Sequence, residues 1–228
     1  MKKIILSITF YFLISFTFIF GHVDHYKKYN YLEYELFRNN QSIGYHKYEF
    51  VRNKDNLTIN SIVEFKISKL GVNLYKYFAS SNEKYKKGKF LSFNSKTKQN
   101  KKDKYVNVIV DNSQNQLIID GSSYKGTANT DTIIGTWWNH EIVMAKAQIS
   151  AISGRIIGQK VTFLGKKQIT IGGKEYNSLH FNFKSSDETL PDNKKLNTDI
   201  WYEEKTFLWL KASFDKRGYW EYRLKEVR

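Results

Sequence analysis

The side chains able to do chemistry are few and scattered. Five histidines are present, His22, His25, His46, His140 and His180, and cysteine is absent. His22-Val23-Asp24-His25 has a metal-chelating look: a chain cut after Gly21 would offer its free amine and the His22 imidazole to a copper ion, with His25 as a further ligand. A polar chain start that binds nothing is the competing reading, because termini are usually loosely held. His46, His140 and His180 lack the short spacings of ligand pairs carried on one helix or loop. His140-Glu141 together with Asp199 supplies the residue types of an acid–base group, although neighbours along a strand point to opposite faces. There is no Gly-x-Ser-x-Gly elbow, no thiol nucleophile and no glycine loop of the phosphate-cradling kind. No catalytic residue, metal or cofactor is therefore assigned. A hydrolase acting on an envelope component, with His140 as its base, stays open as an alternative.

The aromatic residues are more informative. Five Trp accompany 16 Tyr and 16 Phe. Such residues line apolar ligand cavities, stack on sugars or fill the core of a sheet. Trp137, Trp138, Trp201 and Trp209 are the candidate ligand-binding residues. The occupant they suggest is a lipid-like or other apolar ligand.

The net charge of +15 points the same way only in part. It suits an anionic membrane surface. Yet 31 of the 37 basic residues are Lys and only 6 are Arg, whereas dedicated phosphate sites favour the planar Arg fork. The lysines between Lys84 and Lys104 read as a solvated strand-and-loop face that also blunts a sheet edge. Met1-Lys2-Lys3 followed by the uncharged run Ile4 to Phe20 has the form of a signal peptide over residues 1–21, or of an uncleaved N-terminal anchor. Either places the remainder, residues 22–228, outside the cytoplasmic membrane, periplasmic or secreted, where nucleic acid is not an expected partner. A monomer is the expected state.

The elements that must position these residues are strands. Leu57, Ile59, Ser61, Val63, Phe65 and Ile67 share one face, with Thr58, Asn60, Glu64 and Lys66 on the other. Similar alternation recurs at Leu32/Tyr34/Leu36, Val106/Val108/Val110, Leu179/Phe181/Phe183 and Trp220/Tyr222/Leu224. Period two with one apolar face marks antiparallel sheets. Asn39-Asn40, Lys54-Asp55, Gly172-Gly173 and Asp215 to Gly218 supply hairpin turns. Ten to twelve strands in meander order are predicted, with residues 185–196 around the only proline, Pro191, as a long loop. Glu33 and Glu35 share a face and should meet lysines across the ladder. His180, between Leu179 and Phe181, should face water. The exception to the strand pattern is 127–152, where Asn139 could cap a short helix through Ile142, Ala145, Ile149 and Ile152.

The order of the motifs carries a resemblance. Gln41-Ser42-Ile43-Gly44, Phe65 to Val72, Gly88 to Thr97, Trp138-Asn139, Asp199 to Tyr202, Leu208 to Phe214 and Gly218 to Leu224 follow one another as in an exported bacterial β-protein family called domain of unknown function 6134. More distantly, the chain resembles the domain of unknown function 3108 group. The resemblance implies a single large curved antiparallel sheet and offers no catalytic residue. The fold expected from all this is mainly β: one meander sheet bent into a half-barrel, with one short helix or loop segment covering its concave side. A trough of that size needs a cover or an occupant. A ligand-binding module is the leading functional reading, with the hydrolase or a structural envelope protein as alternatives.

Overall fold

The computed structural model describes residues 26–228; His22, His25 and the apolar N-terminal run lie outside the described residues. The eight strands of the first half are β1 (Tyr31–Arg38), β2 (Gln41–Asn53), β3 (Asn56–Lys69), β4 (Val72–Lys86), β5 (Lys89–Gln99), β6 (Lys102–Asp111), β7 (Gln116–Gly121) and β8 (Lys125–Asn129). Two short strands follow, β9 (Ile133–Ile134) and β10 (Ala147–Ile149). The last five are β11 (Ile156–Ile171), β12 (Lys174–Ser185), β13 (Asn197–Glu203), β14 (Trp209–Asp215) and β15 (Tyr219–Val227).

All fifteen lie in one sheet, in the order β8-β7-β6-β5-β4-β3-β2-β1-β15-β14-β13-β12-β11-β10-β9. Two meanders thus run away from a central seam, where β1 pairs antiparallel with β15 from Leu32↔Val227 to Arg38↔Trp220. The count exceeds the ten to twelve strands predicted, because β8, β9 and β10 are too short to show any period of their own. The sheet is not closed: β8 and β9 are its two edges. The lysines from Lys84 to Lys104 lie on β4 to β6 and their turns, inside the sheet rather than along an edge. Bulges between Leu36/Phe37, Ile67/Ser68, Phe163/Gly165 and Trp201/Tyr202 break the ladders and bend the sheet.

Bending brings the two halves together. Phe50, Leu57, Ile59 and Tyr85 from the first meander share one buried cluster with Phe183, Ile200, Tyr202 and Trp209 from the second. On the outer face Glu33 meets Lys47, its partner across the β1–β2 ladder, at 3.6 Å, and Lys225 beside the bulge of the β1–β15 ladder at 2.9 Å.

Residues 130–155 return the chain from one edge to the other and run over the concave side as a strap. The Ser95 hydroxyl donates to the Ala151 carbonyl at 2.5 Å, and the Ser123 amide to the Ser153 carbonyl at 2.9 Å. Backbone passes against backbone here: a Cβ on Gly121 would sit 2.6 Å from the Ser153 oxygen, so only glycine fits. The helix anticipated in this segment does not form. A single 3-10 turn, His140–Val143, is capped by Asn139, whose side-chain oxygen accepts from the Glu141 amide at 3.1 Å. Of the residues that suggested a helical face, Ile142 lies in this turn and Ile149 in β10, where Gln148 and Ile149 pair in parallel with Ile133 and Ile134. Residues 186–196 likewise hold a 3-10 turn, Asp192–Lys194. Replacing Asn139 by alanine is expected to remove about 1 kcal/mol of stability in urea titration, the usual worth of such a cap.

Candidate functional site

Register decides which side chains enter the trough. On β4 the inward set is Tyr75, Tyr77, Ala79, Ser81, Glu83 and Tyr85; on β2 it includes His46, Tyr48 and Phe50. Midway along, the inward residues of β3, β4 and β5 include small ones, Ser61, Ala79, Ser81, Ser95 and Thr97, all polar but Ala79. Small residues leave space, and a chamber of about 170 Å³ lies there, lined on its other side by Thr136, Trp137 and Ile152 of the strap.

His46 lines this chamber. Its Nε2 lies 2.9 Å from the Ser61 hydroxyl, and its buried Nδ1 has no hydrogen-bond partner among the described residues. Burial pushes the imidazole down to about 3, so at neutral pH it is uncharged and too weak a base to activate Ser61. The pair is suited to hydrogen bonding, not to nucleophilic attack.

Towards the β4–β5 turn the chamber ends at Glu83. This carboxylate is 3% exposed and accepts three hydrogen bonds: from the Tyr85 hydroxyl at 2.5 Å, the Trp138 indole N–H at 3.1 Å and the Thr136 hydroxyl at 3.4 Å. Two of the donors belong to the strap, so Glu83 ties the strap to the sheet. Burial pushes its carboxyl up to about 7, against the lowering influence of the three donors.

Beyond Glu83 the trough opens into a cleft of about 830 Å³. Tyr85, Phe90, Leu91, Leu117, Ile133 and Met144 give it apolar walls, and Lys86, Lys87 and Lys89 stand on its rim. Met144 is 85% exposed, an apolar side chain held at the entrance with little cover.

The four tryptophans do not share one site. Trp138 is fully buried between the chamber and the cleft, edge-on to Tyr26, Phe50 and Tyr85. Trp209 is fully buried and stacked on Tyr34 at 3.9 Å. Trp137 is half-buried against Trp209 and Tyr222 and is the one that lines the chamber. Trp201 alternates with the inward Ile200 and Tyr202, and so stands on the outer face. There it stacks on His180 at 4.2 Å, with the Lys211 ammonium 5.1 Å from its ring. His180 is outward as predicted but covered, 7% exposed, and its Nε2 pairs with Asp199 at 3.0 Å. With Asp199 engaged there, and His140 stacked on Phe207 at 4.5 Å, the group His140, Glu141 and Asp199 is not assembled. Among the described residues no cluster of three or more His, Asp or Glu could hold a metal ion.

The sequence pattern did not single out Glu83, and it set His46 aside as an isolated histidine. Both sit at inward positions of alternating strands, and an ionisable residue in that register was the available signal.

The comparisons speak to the fold. A family model, domain of unknown function (DUF6134), matches residues 34–225. No curated protein matches the chain. A crystal structure of a β-barrel-like protein of domain of unknown function DUF1849 from Brucella abortus is similar with a TM-score of 0.58 and 10% identity, over 87% of this chain and 96% of that one. A DUF1329 family protein from Desulfovibrio piger ATCC 29098 aligns over 90% of this chain and 88% of its own, with 8% identity and a TM-score of 0.27. The first likeness is one of architecture alone.

Proposed function

The chain belongs to the family described as domain of unknown function (DUF6134), and within it we propose the role of an exported binding module that holds one amphiphilic, lipid-like ligand at the open end of its trough. The observation that carries this reading is the cleft beyond Glu83. Its volume of about 830 Å³ falls in the range of ordinary ligand pockets. Its walls are largely apolar, with Asp131 and Glu141 also in the lining, and its rim bears Lys86, Lys87 and Lys89, which suits an acyl chain below and an anionic headgroup above. The chamber behind the strap, at about 170 Å³, is too small for such a chain. The ligand therefore enters the cleft and leaves the strap in place. Export through the N-terminal segment would bring the module to the envelope, where such ligands are found.

A fluorescent fatty acid titrated into the full-length protein tests this. Saturable binding of one probe per chain is the expected result. Met144→Glu, which sets a carboxylate on the apolar entrance without touching the core, is expected to weaken binding about tenfold, and Lys86, Lys87 and Lys89 together to Gln by a similar factor. A probe that never saturates, or one that binds equally well to both variants, would overturn the assignment of the cleft.

A further inference from the structure

The turn between β3 and β4 is built from Leu70 and Gly71, both with positive φ, 50° and 78°. A left-handed backbone is easy for glycine but crowds the Cβ of a leucine, and turns of this type favour Asn or Asp before Gly. Among the described residues, nine non-glycine positions have positive φ, and seven of them are Asn, Lys or Arg. Of the other two, Phe207 is stacked on His140. Leu70 is 94% exposed. Val72 and Leu74 beside it are 61% and 55% exposed, so three aliphatic side chains stand in water at one hairpin end.

Lysines surround them. Lys69 pairs with Val72, and Lys66 faces Lys76 directly across the ladder, a like-charge pairing that disfavours the hairpin. The β5–β6 turn, carrying Lys101 and Lys102, is fastened alongside: Asn100 accepts from the Lys76 amide at 2.7 Å through its side chain and donates to the Lys76 carbonyl at 2.9 Å. Among the described residues, Lys66, Lys69 and Lys76 have no ion pair. Backbone strain, exposed aliphatic surface and crowded like charge are each unfavourable in water. An anionic bilayer relieves two of them together, taking the aliphatic chains below the headgroups while lipid phosphates neutralise the lysines. A second copy of the chain would bring the same lysines against each other.

We propose that Leu70, Val72 and Leu74 form an insertion finger, collared by Lys66, Lys69 and Lys76, that docks the protein on an anionic lipid surface. The finger lies at the opposite end of β4 from the cleft, so a docked molecule holds its cleft away from the bilayer by the length of the strands, roughly 45 Å.

The absence of cysteine makes the test local. Asn73→Cys in the full-length chain carries a single environment-sensitive fluorophore beside the finger. Vesicles of mixed phosphatidylcholine and phosphatidylglycerol are expected to shift its emission to the blue, and phosphatidylcholine alone to leave it unchanged. Leu70→Asn is expected to weaken vesicle binding about tenfold while raising the thermal midpoint, since Asn suits the turn. A purely structural role for Leu70 would not separate the two readouts in that way. Lys66, Lys69 and Lys76 together to Gln should cost about a hundredfold. The proposal is overturned if vesicles bind while the label stays in water, as they would through the apolar N-terminal run. It is equally overturned if Leu70→Asn binds as tightly as the parent, or if the label shifts with protein concentration alone, which would make the finger a self-association surface. The fatty-acid titration reads the cleft without vesicles, so each proposal can fail while the other stands.

Discussion

Replacing Trp138 by alanine is expected to lower the unfolding free energy by about 4 kcal/mol. The side chain is fully buried and edge-on to Tyr26, Phe50 and Tyr85 at centroid distances of 5.6, 5.5 and 5.9 Å. Truncating a buried tryptophan costs about 3–5 kcal/mol through lost transfer energy and the cavity left behind, and ring pairs in this geometry add to it. The indole N–H also supplies one of the three hydrogen bonds to Glu83, and a buried carboxylate that loses a donor is penalised by about 1–3 kcal/mol. Against a total stability of about 5–15 kcal/mol, the loss takes the protein close to its unfolding threshold. Trp138→Phe separates the contributions: it keeps most of the ring contact, loses the donor and should cost about 2 kcal/mol. Urea titrations of the three proteins would decide it. A loss below about 1 kcal/mol for the alanine variant would mean that the strap does not depend on this anchor.

That anchor shows which features an alternating pattern can and cannot convey. Leu57 to Ile67 occupy the inner face as their period required, and the odd residue Ile62 points outward, 42% exposed. The turns at Asn39-Asn40 and Gly172-Gly173 adopt positive φ throughout, because those residues tolerate the left-handed region that a twisted two-residue turn demands. The same alternation separates Trp201 from the other candidates, since Ile200 and Tyr202 on either side of it are inward; grouping tryptophans by type ignored their parity. The strap was harder. Its strands are two and three residues long, too short for a local period to announce them, and are defined by their pairing with each other and with β11. The curved sheet was legible. That its hollow would be crossed by its own chain, leaving a small chamber and an open cleft instead of one large cavity, depended on the path of residues 130–155 and on small side chains such as Ser61, Ser81 and Ser95.

Glu83 makes the strap's attachment depend on pH. In the unfolded chain its carboxyl has the ordinary value of 4.5; in the folded protein burial raises it to about 7. Between those values the native state holds a proton that the unfolded state has lost. Its contribution to stability is therefore complete below pH 4.5 and disappears as the pH rises through 7. At 1.36 kcal/mol per unit, that amounts to about 3 kcal/mol. Tyr85, its closest donor, is held well above the ordinary tyrosine range by burial and by Glu83 itself, so it stays neutral throughout. His46 acts with the opposite sign. Its folded value near 3 lies below the usual 6.5, and stability is lost as the pH falls and the unfolded histidine takes up a proton. The two trends overlap between pH 5 and 6.5 and mask one another in the parent protein. Glu83→Gln exposes them: its difference from the parent, measured in urea at each pH from 5 to 8, is expected to shift by about 3 kcal/mol in favour of the variant as the pH rises. Glutamine can still accept the indole and hydroxyl donors through its carbonyl, so the change isolates ionisation from packing. A difference that stays level across the range would mean that Glu83 ionises in the folded protein as easily as in the unfolded chain. The carboxylate would then have water beside it, and the partition between chamber and cleft would be open.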